Sequence, residues 1–341
     1  MFREMDGFDH YTGAQIIRKW PVQTSPVAIV SGRYSGNAIK LALYGTNLGI
    51  EQFVPANTKW ISGFSFNTTN NDPPQGMFFG WKDGSTIQCG ICKSSSGALQ
   101  LVRGPAAPGF GGTLLATSAN NLIAINTWYF LEAKVTIHGS TGSIVLRLDG
   151  RDVLTATGLN TQTTGNASAD RFFLHNDNNE MIYDDYYLLD GDGPINDDFW
   201  GEGKIVAVRP DSDGTTLNFT PSSGSTHYNL VNEATADDDT TNVSSSNVDD
   251  LELFNFTDLT NLSSIKAIQL NILCKKDDAG AREIGAACLI SGNPTPFISS
   301  SQVVNSTYVY LKQAYGVNPD TSSLWSQSEI NSTQFGLKLL V

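Results

Sequence analysis

The chain has 341 residues, 40% of them hydrophobic and 10% aromatic, enough for two domains with cores of their own and far from a disordered composition. Its net charge of −13 and pI near 4.6 oppose binding to a phosphate backbone, and the longest basic run is the pair Lys275–Lys276, so nucleic acid is excluded as a partner. Charged residues make up only 16%, so the surface is built from Ser, Thr, Asn and Gly, as in extracellular and virion β-proteins.

No apolar stretch approaches the roughly 20 residues of a membrane helix. The first residues, "MFREMDGFDHYTG", place Asp6 and Asp9 where a signal peptide has its apolar centre, so no secretion signal is expected. Eight Asn-x-Ser/Thr sequons, at Asn67, Asn166, Asn218, Asn242, Asn255, Asn261, Asn305 and Asn331, are read as chance products of an Asn- and Thr-rich composition.

Short β-rich runs punctuated by Gly, Asn, Asp and Pro follow one another, and helical periodicity is almost absent. In "TKWISGFSFNTT" (58–69) the phase slips at Gly63, which predicts a bulge there. "GMFFGWKDG" (76–84) and "STIQCGICKSSSGALQLVRG" (85–104) read as strand, turn, strand. "CGIC" alternates like a strand, and no His lies near it. Cys89, Cys92, Cys274 and Cys288 are therefore expected as buried free thiols, with no zinc or redox use. In "TWYFLEAKVTIHGSTGSIVLRLDGRDVLTATG" (127–158), Leu131, Ala133, Val135 and Ile137 alternate with Glu132, Lys134, Thr136 and His138. Ile144, Leu146 and Leu148 then continue the apolar face, and "DGR" makes a second tight turn.

The run "GFDHY … SGRYSGNAIKLAL … WISGFSF … WYFLEAKVTIHGSTGSIVLRLDGRDVL … MIYDDYYLLD" resembles the concanavalin-A-like, laminin-G-like jelly roll. The correspondence rests on Trp128, Glu132, Val135, Asp149 and Gly150 and on a closing strand at Tyr183–Asp190. It implies an all-β sandwich over residues 1–195. "GDGPINDDFWGEG" has no periodicity and gives a linker at 196–204. Residues 205–341 are then a second, smaller β-sandwich. In that half, "KIVAVRPDSDGTT" suggests a strand and an Asp-Gly turn, followed by a long polar tract. "IKAIQLNILCKKDDAGAREIGAACLIS" suggests a hairpin turning at "DDAGA", and "STYVYLKQAYGVNPDTSSLWSQSEINSTQFGLKLLV" a last strand pair around a Pro-Asp turn.

"DDYYLLDGDGPINDDFWG", "VRPDSDGT", "FTPSSGSTHYNLVNE" and "QFGLK" together resemble a group of tailed-bacteriophage virion proteins. That resemblance implies a virion location, other virion proteins as partners, symmetric copies on the particle, and a tail or fibre part touching host-surface glycans. A head decoration protein is the first alternative and a polysaccharide depolymerase the second.

Residues 181–203 hold seven Asp and Glu side chains and three tyrosines. Glu180 and Asp184 could share a strand face, whereas Asp184 and Asp185 should point to opposite sides. No carboxylate pair is spaced for glycan cleavage along one strand, and His10, His138, His175 and His227 lie in no nucleophile setting. The Asp184 and Asp185 carboxylates are read as acceptors for backbone and Tyr donors, with no catalytic residue expected and the chain not an enzyme. "DGDG" (190–193) and "DSDG" (211–214) begin like calcium loops, but Pro194 occupies the third ligand position of the first. No metal or other cofactor is expected, a calcium ion at the sandwich rim being the minor alternative that the resemblance allows. Binding residues cannot be named from the sequence: Trp60 and Trp128 read as core, Trp81 and Trp200 as the exposed aromatics.

Overall fold

The computed structural model describes residues 1–41, 46–70, 76–177 and 180–341, so the last two residues of "SGRYSGNAIKLAL" lie outside it. The chain is nearly all β and divides into two compact units, Met1–Ile205 and Val206–Val341. Residues 196–204, expected as a connector, lie in the first unit.

Among the described residues the first unit has two antiparallel sheets, the jelly-roll sandwich expected. One runs in the order Arg151–Leu159, Gly142–Leu148, Tyr129–Thr136, Lys59–Thr68, Met181–Leu189, Asn37–Leu41, Val27–Ser31, with Phe2–Asp6 also paired to Met181–Leu189. The other runs Thr113–Thr117, Leu99–Arg103, Thr86–Lys93, Phe79–Asp83, Ala169–Asp177, Thr46–Asn57, Val22–Gln23. The alternation read in 127–158 sets the ladder: Leu131, Ala133 and Val135 face Leu148, Leu146 and Ile144, all in the core. Asp149 and Gly150 both have positive φ, as the two-residue turn from Gly142–Leu148 into Arg151–Leu159 requires.

Aromatic rings join the sheets. Phe64 meets Phe79 at 4.9 Å and Tyr186 meets Phe172 at 5.1 Å, while the Tyr183 hydroxyl donates to the carbonyls of Phe78 and His175. Such ring pairs add about 0.5–1.5 kcal/mol each beyond the area they bury. Trp60 and Trp81 are fully buried and Trp128 is half-buried. Trp81 therefore corrects the expectation of an exposed ring: "FFGWKDG" turns its even-spaced aromatics inward, and Trp81 packs on Phe79 and Phe172.

The slip seen at Gly63 is real but belongs to the facing strand. Lys59–Thr68 pairs with Tyr129–Thr136 without interruption, whereas Asp184 faces Ser65 and Tyr187 faces Gly63, leaving two residues opposite one. Gly63 is where the Tyr187 ring lies flat; a Cβ there would stand 2.2 Å from its Cε1.

In the second unit a six-stranded sheet runs Pro210–Leu217, Leu251–Phe256, Gln334–Leu339, Glu283–Leu289, Phe297–Ile298, with Gln302–Val303 also paired to Glu283–Leu289. A ribbon of Ile268–Cys274 and Val309–Tyr315 packs on it. One contact cluster gathers Cys288, Tyr315, Trp325 and Phe335 with Ile268 and Leu270, another Phe219, Ile284 and Leu339 with Ile272 and Leu311. The expected hairpin 268–289 and the expected final pair are both corrected. Each joins strands of opposite layers, because alternation marks which face is apolar without naming the partner strand. Asp213 and Gly214 form no turn and lie within Pro210–Leu217, where Gly214 allows the Leu253 carbonyl to approach (2.4 Å from a built Cβ).

Candidate functional site

The bulge in Met181–Leu189 decides the geometry of the acidic segment. Asp185 takes φ 50°, a left-handed conformation that Asp tolerates better than most residues. Strict alternation is thereby broken: Tyr186 turns into the core, and Asp184 and Asp185 both reach the outer face of the sheet. This corrects the expectation that they diverge. Asp184 accepts from the Arg33 and Asp185 amides, each at 2.8 Å; Asp185 accepts from the Ser65 hydroxyl at 3.2 Å and the Ile205 amide at 2.8 Å. The Arg33 guanidinium donates to the same Ser65 hydroxyl. Burial, then the charge of Asp185, pushes the Asp184 carboxyl up to about 7, and burial raises Asp185 as well.

Beside this pair, the Tyr187 hydroxyl donates to Glu132, whose same oxygen accepts the Gly201 amide at 2.8 Å. The other Glu132 oxygen is buried with no hydrogen-bond partner, and burial raises its pKa. Residues 198–205 lie over this floor. Trp200 stacks on Tyr187 at 4.5 Å and meets Phe2 at 5.2 Å; Glu202 pairs with Arg33 at 2.5 Å and accepts from the Tyr34 hydroxyl. Asp198 pairs with Lys134, and Phe199 lies under both Lys134 and Arg147. Trp200, expected exposed, is half-buried by this stacking.

The other residues singled out by sequence are dispersed. Glu180 is held by Lys40 and by the Thr69 hydroxyl at 2.7 Å, away from the partners of Asp184. Asp190 takes the Met1 ammonium, Arg3 and the Asp192 amide, and Asp213 caps the His227 and Tyr228 amides. Among the described residues no group of three acidic, His or Cys side chains is gathered for a metal. His138 is exposed and accepts from the amides of Ser140 and Thr141. Cys89, Cys92 and Cys288 are buried and Cys274 half-buried, and none of the four is in a disulfide. A hollow of 170 Å³ next to the covered face is lined by Lys59, Ile61, Lys134, Thr136, Gly191 and Asp197.

The outer face of the second sheet carries a cluster that the sequence reading did not reach. Phe53, Arg171 and Lys82 stand opposite one another on three adjacent strands. The Arg171 guanidinium lies 4.6 Å from the centre of the Phe53 ring, which is 50% exposed. Beneath them buried Glu51 binds Lys82, with Arg171 at 3.8 Å and His175 Nε2 at 3.5 Å. Burial holds the His175 imidazole down to about 4. Burial opposes the Glu51 charge, but the adjoining His175 ring and the Lys82 ammonium outweigh it and bring Glu51 to about 2, so a neutral ring sits against a charged carboxylate. Only register brings these residues together, because their strands are far apart in the chain.

No family model and no curated protein matches the sequence. Among solved structures the chain is similar to alginate lyase Aly36B, with 12% identity, a TM-score of 0.39, and coverage of 54% of this chain and 95% of that one. Trypanosoma rangeli sialidase shares 13% identity at a TM-score of 0.33, over 49% of this chain and 27% of that one. HCR/D-Sa-GBL1/C shares 12% at 0.35, over 93% and 92%. The chain thus spans about a quarter of the sialidase, and at these identities the likeness is one of fold. The expectation of a chain that is not an enzyme finds no support in this comparison: the lyase and the sialidase, similar in fold alone, are enzymes.

Proposed function

We propose that this chain is a glycan-contacting protein of a tailed-phage particle, associated with the tail or its fibres. Its first unit meets host-surface sugar through the Phe53–Arg171 surface. The observation that carries this reading is an exposed aromatic ring set beside a guanidinium on the outer face of a rigid sheet. The ring offers an apolar face for the C–H side of a sugar, and Arg171 offers planar donors to its hydroxyl or carboxylate groups. The phage assignment is supported by the sequence resemblance across "DDYYLLDGDGPINDDFWG" and "FTPSSGSTHYNLVNE". The experiment is a binding screen of the full chain against neutral and uronate-containing oligosaccharides. Phe53→Ala should weaken the best binder by about tenfold or more, the equivalent of ~1.4 kcal/mol. Binding unchanged in that variant and in Arg171→Ala would remove the surface from consideration. Immunogold labelling of purified particles tests the location, and label on the head would favour a decoration role.

A second reading is favoured by Asp184. A carboxyl that keeps its proton up to about pH 7 is equipped to act as a general acid in glycan cleavage. New reducing ends released from host polysaccharide, and lost in Asp184→Asn, would support it.

A further inference from the structure

The covered face of the eight-stranded sheet has an unusual division of burial. Its floor is polar and closed off: Ser65, Glu132, Asp184, Asp185 and Tyr187 are all buried. The roof, residues 198–205, contains no buried residue and is attached by hydrogen bonds, ion pairs and ring stacking. A permanent cover is most cheaply laid on an apolar floor, because each carboxyl taken from water without full compensation costs free energy. Segments held by few buried apolar contacts are also those that open locally at least cost.

We propose that residues 198–205 are a displaceable strap whose closure is coupled to protonation of the Asp184–Asp185 pair beneath it, so that the strap is shut in acid and released as pH rises. The inference goes beyond the glycan reading and does not depend on it.

The charged and titratable groups around the pair are few enough to assign. Asp9, from the loop after the first strand, adds negative charge, and Glu132 on Tyr129–Thr136 is itself raised by burial. Arg33 and Tyr34 come from the loop before Asn37–Leu41, and Lys134 and Arg147 stand at the far end with Asp198. Tyr187 shares the strand of the pair, and the strap brings Glu202 and Lys204, the latter bonded to the Ser35 hydroxyl. Arg33 is thus the cation closest to the pair, and in the closed form Glu202 holds it.

The sign of the coupling follows from these groups. With the strap closed, burial is the first cause raising both carboxyls, and it exceeds the opposing hydrogen bonds from Ile205 and Arg33. The closed form therefore holds protons that the open, hydrated form gives up. Raising the pH favours opening until the carboxyls are ionised in the closed form too. On release, Arg33 exchanges Glu202 for the two ionised aspartates, and the Glu132–Tyr187 row comes into contact with water.

Hydrogen exchange of the full chain tests this, read at the Trp200, Gly201 and Ile205 amides, which in the closed form are bonded to Tyr187, Glu132 and Asp185. With rates corrected for intrinsic exchange, the opening constant should rise at least about tenfold between pH 5 and pH 8, the effect of one carboxyl raised by a single unit. Asp184→Asn combined with Asp185→Asn should flatten the profile. A flat or falling profile in the native sequence, or a rise that persists in the double variant, overturns the proposal. If the double variant does not fold, Glu202→Gln decides: freeing Arg33 should move opening to lower pH, and an unmoved profile counts against the coupling. No glycan enters the assay, so its failure leaves the glycan reading untouched.

Discussion

Replacing Asp6 by Asn should destabilise the first unit more than any single surface change. Asp6 is completely buried and gathers four donors: the Phe8 amide at 2.9 Å, the Tyr11 hydroxyl at 2.5 Å, the Trp20 indole at 2.8 Å and the Lys19 ammonium at 3.3 Å. Burial works against the charge, yet Lys19 and the other partners outweigh it and hold the pKa below its usual value. Asn keeps the shape and one acceptor but takes the Asp6 charge away from the buried Lys19 ammonium. Removing one partner of a buried ion pair costs about 3–5 kcal/mol. For a unit of this size each kcal/mol lowers Tm by about 2–4 °C, so a fall of roughly 6–20 °C is expected in the transition of the first unit. Differential scanning calorimetry on Asp6→Asn, Lys19→Met and the double variant separates the causes, because removing both charges should recover part of the loss. A double variant no more stable than Asp6→Asn alone would refute the argument from an unpaired charge. The depressed pKa also fixes the direction with pH: the contribution is present above the ordinary carboxylate pKa and disappears as acid protonates Asp6 in the folded state.

Buried His175, depressed to about 4, should cost the fold stability as pH falls from 6.5, since only the unfolded chain binds that proton. Urea unfolding at pH 4.5 and pH 7 should differ by about 2–3 kcal/mol from this residue, and His175→Asn should remove that part of the slope. Gly63→Ala should displace the Tyr187 ring and raise exchange at Trp200 and Gly201; unchanged exchange would show that the ring has room to move. The thiols of Cys274 and Cys288 are pushed up to about 12 by burial, and that of Cys89 higher still. A thiol reagent at pH 8 should label them only as the chain unfolds, and fast stoichiometric labelling of folded protein would contradict this.

The sequence alone determined what periodicity and turn chemistry can carry. Strict alternation in 131–137 and 144–148 assigned one face of each strand to a core, and "LDGR" set the turn, because both signals are local. The near absence of helical periodicity likewise pointed to the all-β fold that the sheets show. Tertiary structure decided which strands meet. Alternation is the same whatever the partner, so Ile268–Cys274 pairs with Val309–Tyr315 in place of its neighbour in sequence. It also decided the acidic segment, where one bulge at Asp185 undid the alternation from which opposite faces had been inferred for the two aspartates. Phe53, Lys82 and Arg171 carry no signal in their own segments. They form a surface only because three strands distant in the chain align in register, and backbone hydrogen bonding across a sheet fixes that alignment where no local preference can.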